Sequence, residues 1–155
     1  MLDNCKSAQE RWGGVSEIID RWLRERQELL VLFCNLSEIA ENSQHGSCEK
    51  SVQKLCQIIV DYVSAGYFEV YDQLVKEGQE SGNQEGLKIA GESFKIVDQS
   101  TEYILDFNDK YQETDDLDSL IEDLSRLGEV LAHRFEAEDK MIETLHVANK
   151  EKILS

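Results

Sequence analysis

The sequence contains one Glu-x-x-His pair, Glu143 and His146, of the type that binds metal ions inside helical proteins. Carboxylate-bridged di-iron sites need a second such pair and further glutamates that face inward. The chain has only three histidines, and His45 lies in a polar segment. These residues therefore do not complete a di-iron site or a histidine-rich oxygen carrier, and we expect no bound metal.

His133 suggests phosphoryl chemistry, because exposed histidines on helical bundles can carry a phosphoryl group. The surrounding residues 132–136 lack the small residue and the lysine expected beside such a histidine, and acidic neighbours would repel phosphate. No nucleophile elbow, P-loop or dinucleotide fingerprint is present. We expect no catalytic residues, no cofactor and no enzyme activity. A bundle that carries or senses a metal ion or a phosphoryl group is the alternative function.

The segment from Ile58 to Tyr71 has the pattern of a buried amphipathic helix, but Gly66 and several polar residues interrupt it. A purely structural helix does not need this interruption. Asp61, Ser64 and Phe68 are three and four positions apart, so they lie along one stripe of the helix. An acid, a small hydroxyl and a large ring predict a contact patch for a partner protein, called the contact patch below.

Other aromatic residues are candidates for the same surface. Tyr62, Tyr67, Phe68 and Tyr71 span more than one face of the helix, and core packing explains at least two of them. We include Tyr71 and the upstream Trp22 among the partner-binding residues. For Trp22, which lies on an apolar face, core packing is the simpler interpretation.

The chain is strongly acidic, with 16 lysines and arginines, 32 aspartates and glutamates and a formal net charge of −16. This charge repels the phosphate backbone that supplies most nucleic-acid affinity, so we expect no direct binding to DNA or RNA. It would attract a basic protein surface, although many acidic proteins use charge only for solubility.

Cellular location follows from the apolar segments and the cysteines. No stretch approaches the roughly 20 apolar residues that span a bilayer, and residues 1–5 lack the regions of a signal peptide. We expect a cytoplasmic protein with no membrane partner. The four cysteines form no Cys-x-x-Cys pair, which zinc and redox sites need, so free thiols are expected.

Helical periodicity dominates the chain, and proline, which breaks helix interiors, is absent. Apolar residues recur at helical spacing from about residue 15 to 39, 52 to 74, 87 to 111 and 117 to 145. The connections are a polar loop at 41–47, a glycine-containing turn at 78–86 and an acidic turn at 113–116. We predict one all-α domain over residues 1–155, an antiparallel four-helix bundle with a short extra N-terminal helix before Gly13 and Gly14.

Charged residues interrupt the apolar seams of three of these helices, at Arg26, Glu69 and Glu138. Buried charges lose their hydration unless they are paired. We predict a polar cavity that opens toward the contact patch, in which Arg26 bridges the two carboxylates and Arg134 assists. The alternative is that each long side chain reaches solvent.

Residues 20–31, 58–71 and 134–142 combine charged and aromatic residues in unusual patterns. Together these blocks resemble the Rsd/AlgQ family of bacterial anti-sigma factors. The likeness continues in order along nearly the whole chain and is greatest to the AlgQ branch, whose start resembles residues 8–15. One departure is Tyr67, where the family is expected to have a histidine, so a role of that imidazole cannot be carried over.

The resemblance implies a helical-bundle fold and a protein that binds the primary sigma factor of RNA polymerase, chiefly its C-terminal promoter-recognition domain. Binding would keep that domain from core polymerase and promoter DNA. The resemblance also implies that the contact patch engages the sigma factor. The acidic charge is compatible, because a DNA-reading domain presents a basic face. Other regulatory proteins are further candidate partners.

Overall fold

The computed structural model describes residues 17–41, 45–112 and 117–147, and for residues 45–48 and 147 it describes the backbone alone. The α-helices are α1 (Glu17–Glu41), α2 (His45–Ala65), α3 (Tyr71–Glu80), α4 (Gln84–Tyr111) and α5 (Leu120–Met141). π-helical turns at Gly66–Val70 and Ile142–Val147 continue α2 into α3 and extend α5. The predicted N-terminal helix and the acidic turn at 113–116 lie outside the described residues.

Since the Gly66–Val70 turn joins α2 directly to α3, the chain forms four long helical segments, the second of which we call the α2–α3 rod. α1 and the rod run antiparallel, since Trp22 near the start of α1 contacts Tyr62 near the end of α2. The chain reverses over residues 81–83, so the rod and α4 are antiparallel as well. Residues 112–119 separate α4 from α5, and α5 closes the ring against α1, where Phe33 lies opposite Gly128. The predicted all-α class and helical bundle are confirmed.

Buried residues of α4 and α5 alternate at spacings of four and three, the pattern that places one stripe of each helix against its neighbours. In α4 they are Gly86, Ala90, Ser93, Val97, Ser100, Ile104, Phe107 and Tyr111. In α5 the stripe contains Leu120, Leu124, Leu127, Leu131, Arg134, Glu138 and Met141. The same spacing that directs the leucines inward therefore also directs one arginine and one glutamate into the core.

The Gly66–Val70 turn changes which residues of the rod face the core. A π-helical turn has i→i+5 hydrogen bonds and so contains more residues than an α-helical turn. The buried face that includes Tyr62 continues at Val70 and Tyr71, while Glu69 is on the surface. The prediction that Glu69 lies on the buried seam is wrong, because it extended the regular helical period through this turn.

Two predicted connections are shorter in the structure. α3 continues to Glu80, and the chain reverses over residues 81–83 with Gly82 at a φ of 67°, a value that favours glycine. The Asn83 side chain then caps α4 by accepting a hydrogen bond from the Gly86 amide at 2.9 Å. α2 already begins at His45, inside the predicted polar loop, of which residues 42–44 lie outside the described ranges.

Cys34 and Cys56 are free thiols, and burial raises the pKa of Cys56 to about 11. Cys5 and the side chain of Cys48 lie outside the described part of the chain. None of the described helices is long and apolar enough to cross a membrane.

We expect Gly66→Ala to lower the free energy of unfolding by about 1–3 kcal/mol, because overpacked core sites force their neighbours to move. A Cβ atom at this position would lie 3.1 Å from Cζ2 of Trp22 and 3.2 Å from the Tyr71 hydroxyl. Urea unfolding followed by circular dichroism measures the change.

Gly91→Ala on the exposed side of α4 is the matched control, since a Cβ there meets nothing within 4 Å. It should raise stability by about 0.5–1 kcal/mol, the usual difference between alanine and glycine inside a helix. If both variants gained stability equally, the space around Gly66 would accept a Cβ atom, and the prediction of close packing at this glycine would be wrong.

Candidate functional site

The contact patch lies on the α2–α3 rod at and just before the π-helical turn. Phe68 is 75% exposed, Asp61 is exposed and Ser64 is half-buried. Tyr67, itself 56% exposed, packs edge-on against the Phe68 ring at a centroid distance of 5.2 Å. Clustered exposed rings of this size on a soluble domain are typical of a contact surface.

Below Phe68 a groove of about 170 Å³ opens between the rod and α4. Its walls include Tyr67, Phe68, Phe94 and Leu105, and Arg134 is among the residues that line it. Of the four residues predicted to line a polar cavity, Arg134 alone lines this groove, whose walls are mainly apolar.

Glu138 is the centre of a buried network to which several helices contribute. Its side chain is fully buried, and its Oε1 accepts a hydrogen bond from the Tyr62 hydroxyl at 2.6 Å. Its Oε2 accepts from the Tyr71 hydroxyl and from Nε of Arg134, the latter at 3.2 Å. Nη2 of Arg26 lies 3.5 Å from Oε1. One carboxylate thus connects α1, α2, α3 and α5.

Arg26 enters the network from α1 and is completely buried. It donates from Nε to the Tyr62 hydroxyl at 2.9 Å and from Nη1 to Asp139 at 2.6 Å. Its guanidinium carbon lies 4.7 Å from the ring centre of Phe135 and 5.3 Å from that of Trp22, within the range of cation–π attraction.

Arg134 connects the network to α4. Its Nη1 donates to the backbone oxygen of Val97 at 3.1 Å, to Oγ of Ser100 at 2.9 Å and to Oγ1 of Thr101 at 2.7 Å. Its Nη2 donates to the Tyr71 hydroxyl at 3.2 Å. Together, Arg134 and Glu138 bring all four long helical segments into one hydrogen-bonded cluster.

The surroundings shift the pKa of two tyrosines and one arginine in this network. Burial raises the pKa of both Tyr62 and Tyr71, so each hydroxyl stays protonated and donates a hydrogen bond to Glu138. Burial disfavours the charge of Arg134, but the adjacent Glu138 carboxylate outweighs it and raises the pKa of Arg134. Groups that do not exchange protons near neutral pH are suited to holding helices in register.

The structure brings together three of the four residues predicted to line the polar cavity: Arg26, Arg134 and Glu138. Glu69 is separate from them and accepts a hydrogen bond at 3.0 Å from the exposed Arg21. Asp139 occupies the role predicted for Glu69, since it is the second carboxylate that Arg26 contacts.

Sequence reasoning missed the hydroxyl groups of the network. Ser100 could have been found, because it occupies a seam position of α4 between apolar residues. The Tyr62 and Tyr71 hydroxyls give no such signal, since a tyrosine at a core position is equally compatible with simple ring packing.

Two predicted contact residues belong to the core. Trp22 is 1% exposed, stacks on the Tyr62 ring at 4.9 Å and donates from Nε1 to the Tyr62 backbone oxygen at 3.1 Å. The inclusion of Trp22 among the partner-binding residues is therefore wrong, because helix packing covers it. Tyr71 is 5% exposed, and its hydroxyl points into the network while its ring lines the groove.

An acidic surface adjoins the contact patch. Partial burial is the largest cause that raises the pKa of Glu25, and the negative charge of Asp61 raises it further. Arg21 opposes this shift, while Glu69 adds to it. One oxygen of Glu25 is buried without a hydrogen-bond partner among the described residues. This surface therefore carries more negative than positive charge.

The residues considered for metal or phosphoryl chemistry lie elsewhere. Nδ1 of His146 is 2.6 Å from Glu77, whereas Glu143 is exposed. His133 is exposed on α5. Within residues 17–41, 45–112 and 117–147, no group of three or more histidine, cysteine, aspartate or glutamate residues is placed to hold a metal ion.

Comparison with known proteins covers nearly the whole chain. Residues 1–146 match the family described as Regulator of RNA polymerase sigma(70) subunit, Rsd/AlgQ. The chain is 35% identical over 150 residues to the Regulator of sigma D of Yersinia enterocolitica, covering 92% of this chain and 89% of that protein. It is 36% identical over 148 residues to the Regulator of sigma D of Salmonella arizonae, covering 92% and 90%.

Arg26→Met should lower the free energy of unfolding by about 3–5 kcal/mol, since it removes the cation from Asp139 and one of the two cations from the buried Glu138. The exposed pair of Arg21 and Glu69 provides the control, and Arg21→Met should cost about 1 kcal/mol or less. Urea unfolding of both variants gives the comparison. Equal effects of the two substitutions would contradict the central role of the buried network.

Glu25→Gln should make the protein more stable at pH 7, because it removes a carboxylate whose pKa is raised by burial and by Asp61. A raised carboxyl pKa costs stability at high pH, and this cost disappears as pH falls through the folded value toward the ordinary 4.5. The gain from the substitution should disappear over the same range.

Thermal unfolding between pH 4 and pH 8 tests this dependence, with Glu136→Gln on the exposed side of α5 removing the same charge as a control. An identical gain in both variants would assign the effect to net charge and not to the surroundings of Glu25.

Proposed function

We propose that this chain, which belongs to the Rsd/AlgQ family, is an anti-sigma factor that binds the primary sigma factor of RNA polymerase. It engages chiefly the C-terminal promoter-recognition domain and limits the use of that sigma factor by core polymerase. The match to the sigma(70)-regulator family over residues 1–146 is the observation that carries the proposal. The activity is binding without catalysis, and a partner that works with RNA polymerase implies the cytoplasm.

The contact patch is the proposed sigma-binding surface. Phe68 can serve as its anchor, because three quarters of its side chain is exposed and free to become buried against a partner. Large aromatic side chains near the centre of an interface usually supply most of its binding energy. Asp61 and Ser64 add an acceptor and a hydroxyl on the same side of α2.

The charge of the chain supports a basic partner. A net charge of −16 attracts a DNA-reading domain with a basic face and raises the rate of encounter. The negative charges of Glu25 and Glu69 lie beside Asp61 of the contact patch. A basic side chain of the partner would lower the pKa of Glu25 and relieve the repulsion from Asp61.

The buried network supports binding indirectly. Tyr71 directly follows the π-helical turn and is fixed by Glu138 and Arg134. A fixed turn presents Phe68 in one orientation before binding, which reduces the ordering that association would otherwise require.

Phe68→Ala should weaken binding to the full-length primary sigma factor by about 2 kcal/mol or more, the usual loss at an interface hot spot. Its stability should change by no more than about 0.5 kcal/mol, since the side chain is exposed. Isothermal titration calorimetry measures binding, and urea unfolding measures stability.

Ile121→Ala is the control, because Ile121 is 55% exposed on α5, away from the contact patch. It should bind as the unaltered chain does. An unaltered chain that does not bind the primary sigma factor would overturn the proposed function. Normal binding by Phe68→Ala would show that the contact patch is not the sigma-binding surface, but it would not contradict the anti-sigma function.

A further inference from the structure

The apolar groove beside Phe68 continues into a second, polar depression along the same side of the bundle. This depression has a volume of about 580 Å³ and lies between α2 and α4, with Gln53, Gln57, Asn108 and Gln112 among its lining residues. Asp61 also lines it, whereas Ser64, one turn further along α2, lines the apolar groove. The two depressions therefore adjoin and form one path, called the α2–α4 groove below.

The α2–α4 groove follows several helical turns of the rod. Along the rod it extends from Gln53 to Phe68, about 15 residues or roughly 22 Å at the helical rise. A partner helix of about four turns has the same length. Both walls are helices whose backbone groups already bond within each helix, so the groove offers no free edge to an extended strand.

The two ends of the groove differ in chemistry. At the apolar end, Leu105 on α4 is 47% exposed and faces the same space as Tyr67 and Phe68. At the other end the lining is amide and carboxylate, as in Asn108 and Asp61. Carboxamides donate and accept hydrogen bonds, so this end fits polar side chains, and Asp61 fits a cation.

We infer that the α2–α4 groove holds a basic amphipathic helix of the sigma factor, about four turns long. One large apolar side chain of that helix occupies the groove between Phe68 and Leu105. A lysine or arginine further along the helix reaches Asp61, and polar side chains contact the carboxamides. This inference rests on the proposed function and adds the α4 wall to the contact patch.

The charge distribution favours this occupant. Asp61 belongs to both the contact patch and the polar end of the groove, and the exposed Asp98 of α4 lines the apolar end. In a chain with a net charge of −16, an acidic helix would be repelled along the whole path. A basic helix with an apolar stripe matches both the charge and the rings.

The test places lysine on the α4 wall, which lies outside the contact patch. Leu105→Lys blocks the apolar end and Asn108→Lys the polar end, and each adds a charge that repels a basic helix. Ile121→Lys on α5 adds the same charge at a position 55% exposed. Calorimetry with the full-length primary sigma factor should show binding at least about tenfold weaker for both groove variants and close to normal for Ile121→Lys.

The outcomes separate the inference from the proposed function. If the unaltered chain binds the sigma factor and Leu105→Lys and Asn108→Lys bind it equally well, the helix-binding groove is overturned. The anti-sigma function then stays intact. Absence of binding by the unaltered chain would overturn both. Circular dichroism establishes that each variant is folded, and because the two positions are at opposite ends of the groove, either folded variant is a sufficient test.

A photocrosslinking residue at position 105 gives an independent measurement. Mass spectrometry of the crosslinked complex should identify a sigma peptide from a helix that carries lysine or arginine on one side and apolar residues on the other. A crosslink to an acidic or extended segment would be decisive against the inference.

Discussion

The neutralisation of one buried carboxylate is the constraint on which the rest of the structure depends. Glu138 has no contact with water, so its charge needs donors from the protein. It obtains them from Tyr62, Tyr71 and Arg134, with Arg26 at 3.5 Å, and Arg134 in turn bonds α4. Because these donors come from different helices, only one relative arrangement of the bundle satisfies the carboxylate.

The same network fixes the turn that carries the proposed sigma-binding surface. Trp22 stacks on Tyr62, and a Cβ atom at position 66 would lie only 3.1 Å from Trp22 and 3.2 Å from Tyr71, so glycine fits best there. The π-helical turn begins at this glycine and carries Phe68 outward. An interior built from charged groups is often no more stable than an apolar one, so its value here lies in specifying a single geometry for the turn.

Several negative charges lie close together beside this turn, and their mutual repulsion lowers the stability of the free protein. Glu25, Asp61 and Glu69 act on one another at short range, and Arg21 offsets part of their charge. Such a cluster weakens the free protein but is relieved when a basic partner arrives. The net charge of −16 is therefore consistent with a protein whose working state is a complex.

The sequence by itself determined the helical class and the bundle, because these follow from local periodicity and the absence of proline. It also placed Arg26 and Glu138 on apolar seams but left open whether they reach solvent, and the structure buries both. It also placed Asp61, Ser64 and Phe68 on one stripe of a helix. Only the tertiary structure decided that Trp22 is inside, since the rod packs over this face of α1 through Tyr62. It also decided that Glu69 lies outside, since the π-helical turn shifts which residues of the rod face the core. That shift depends on how side chains of α1 and α3 pack against Gly66, and contacts between distant parts of the chain leave no periodic signal in the sequence.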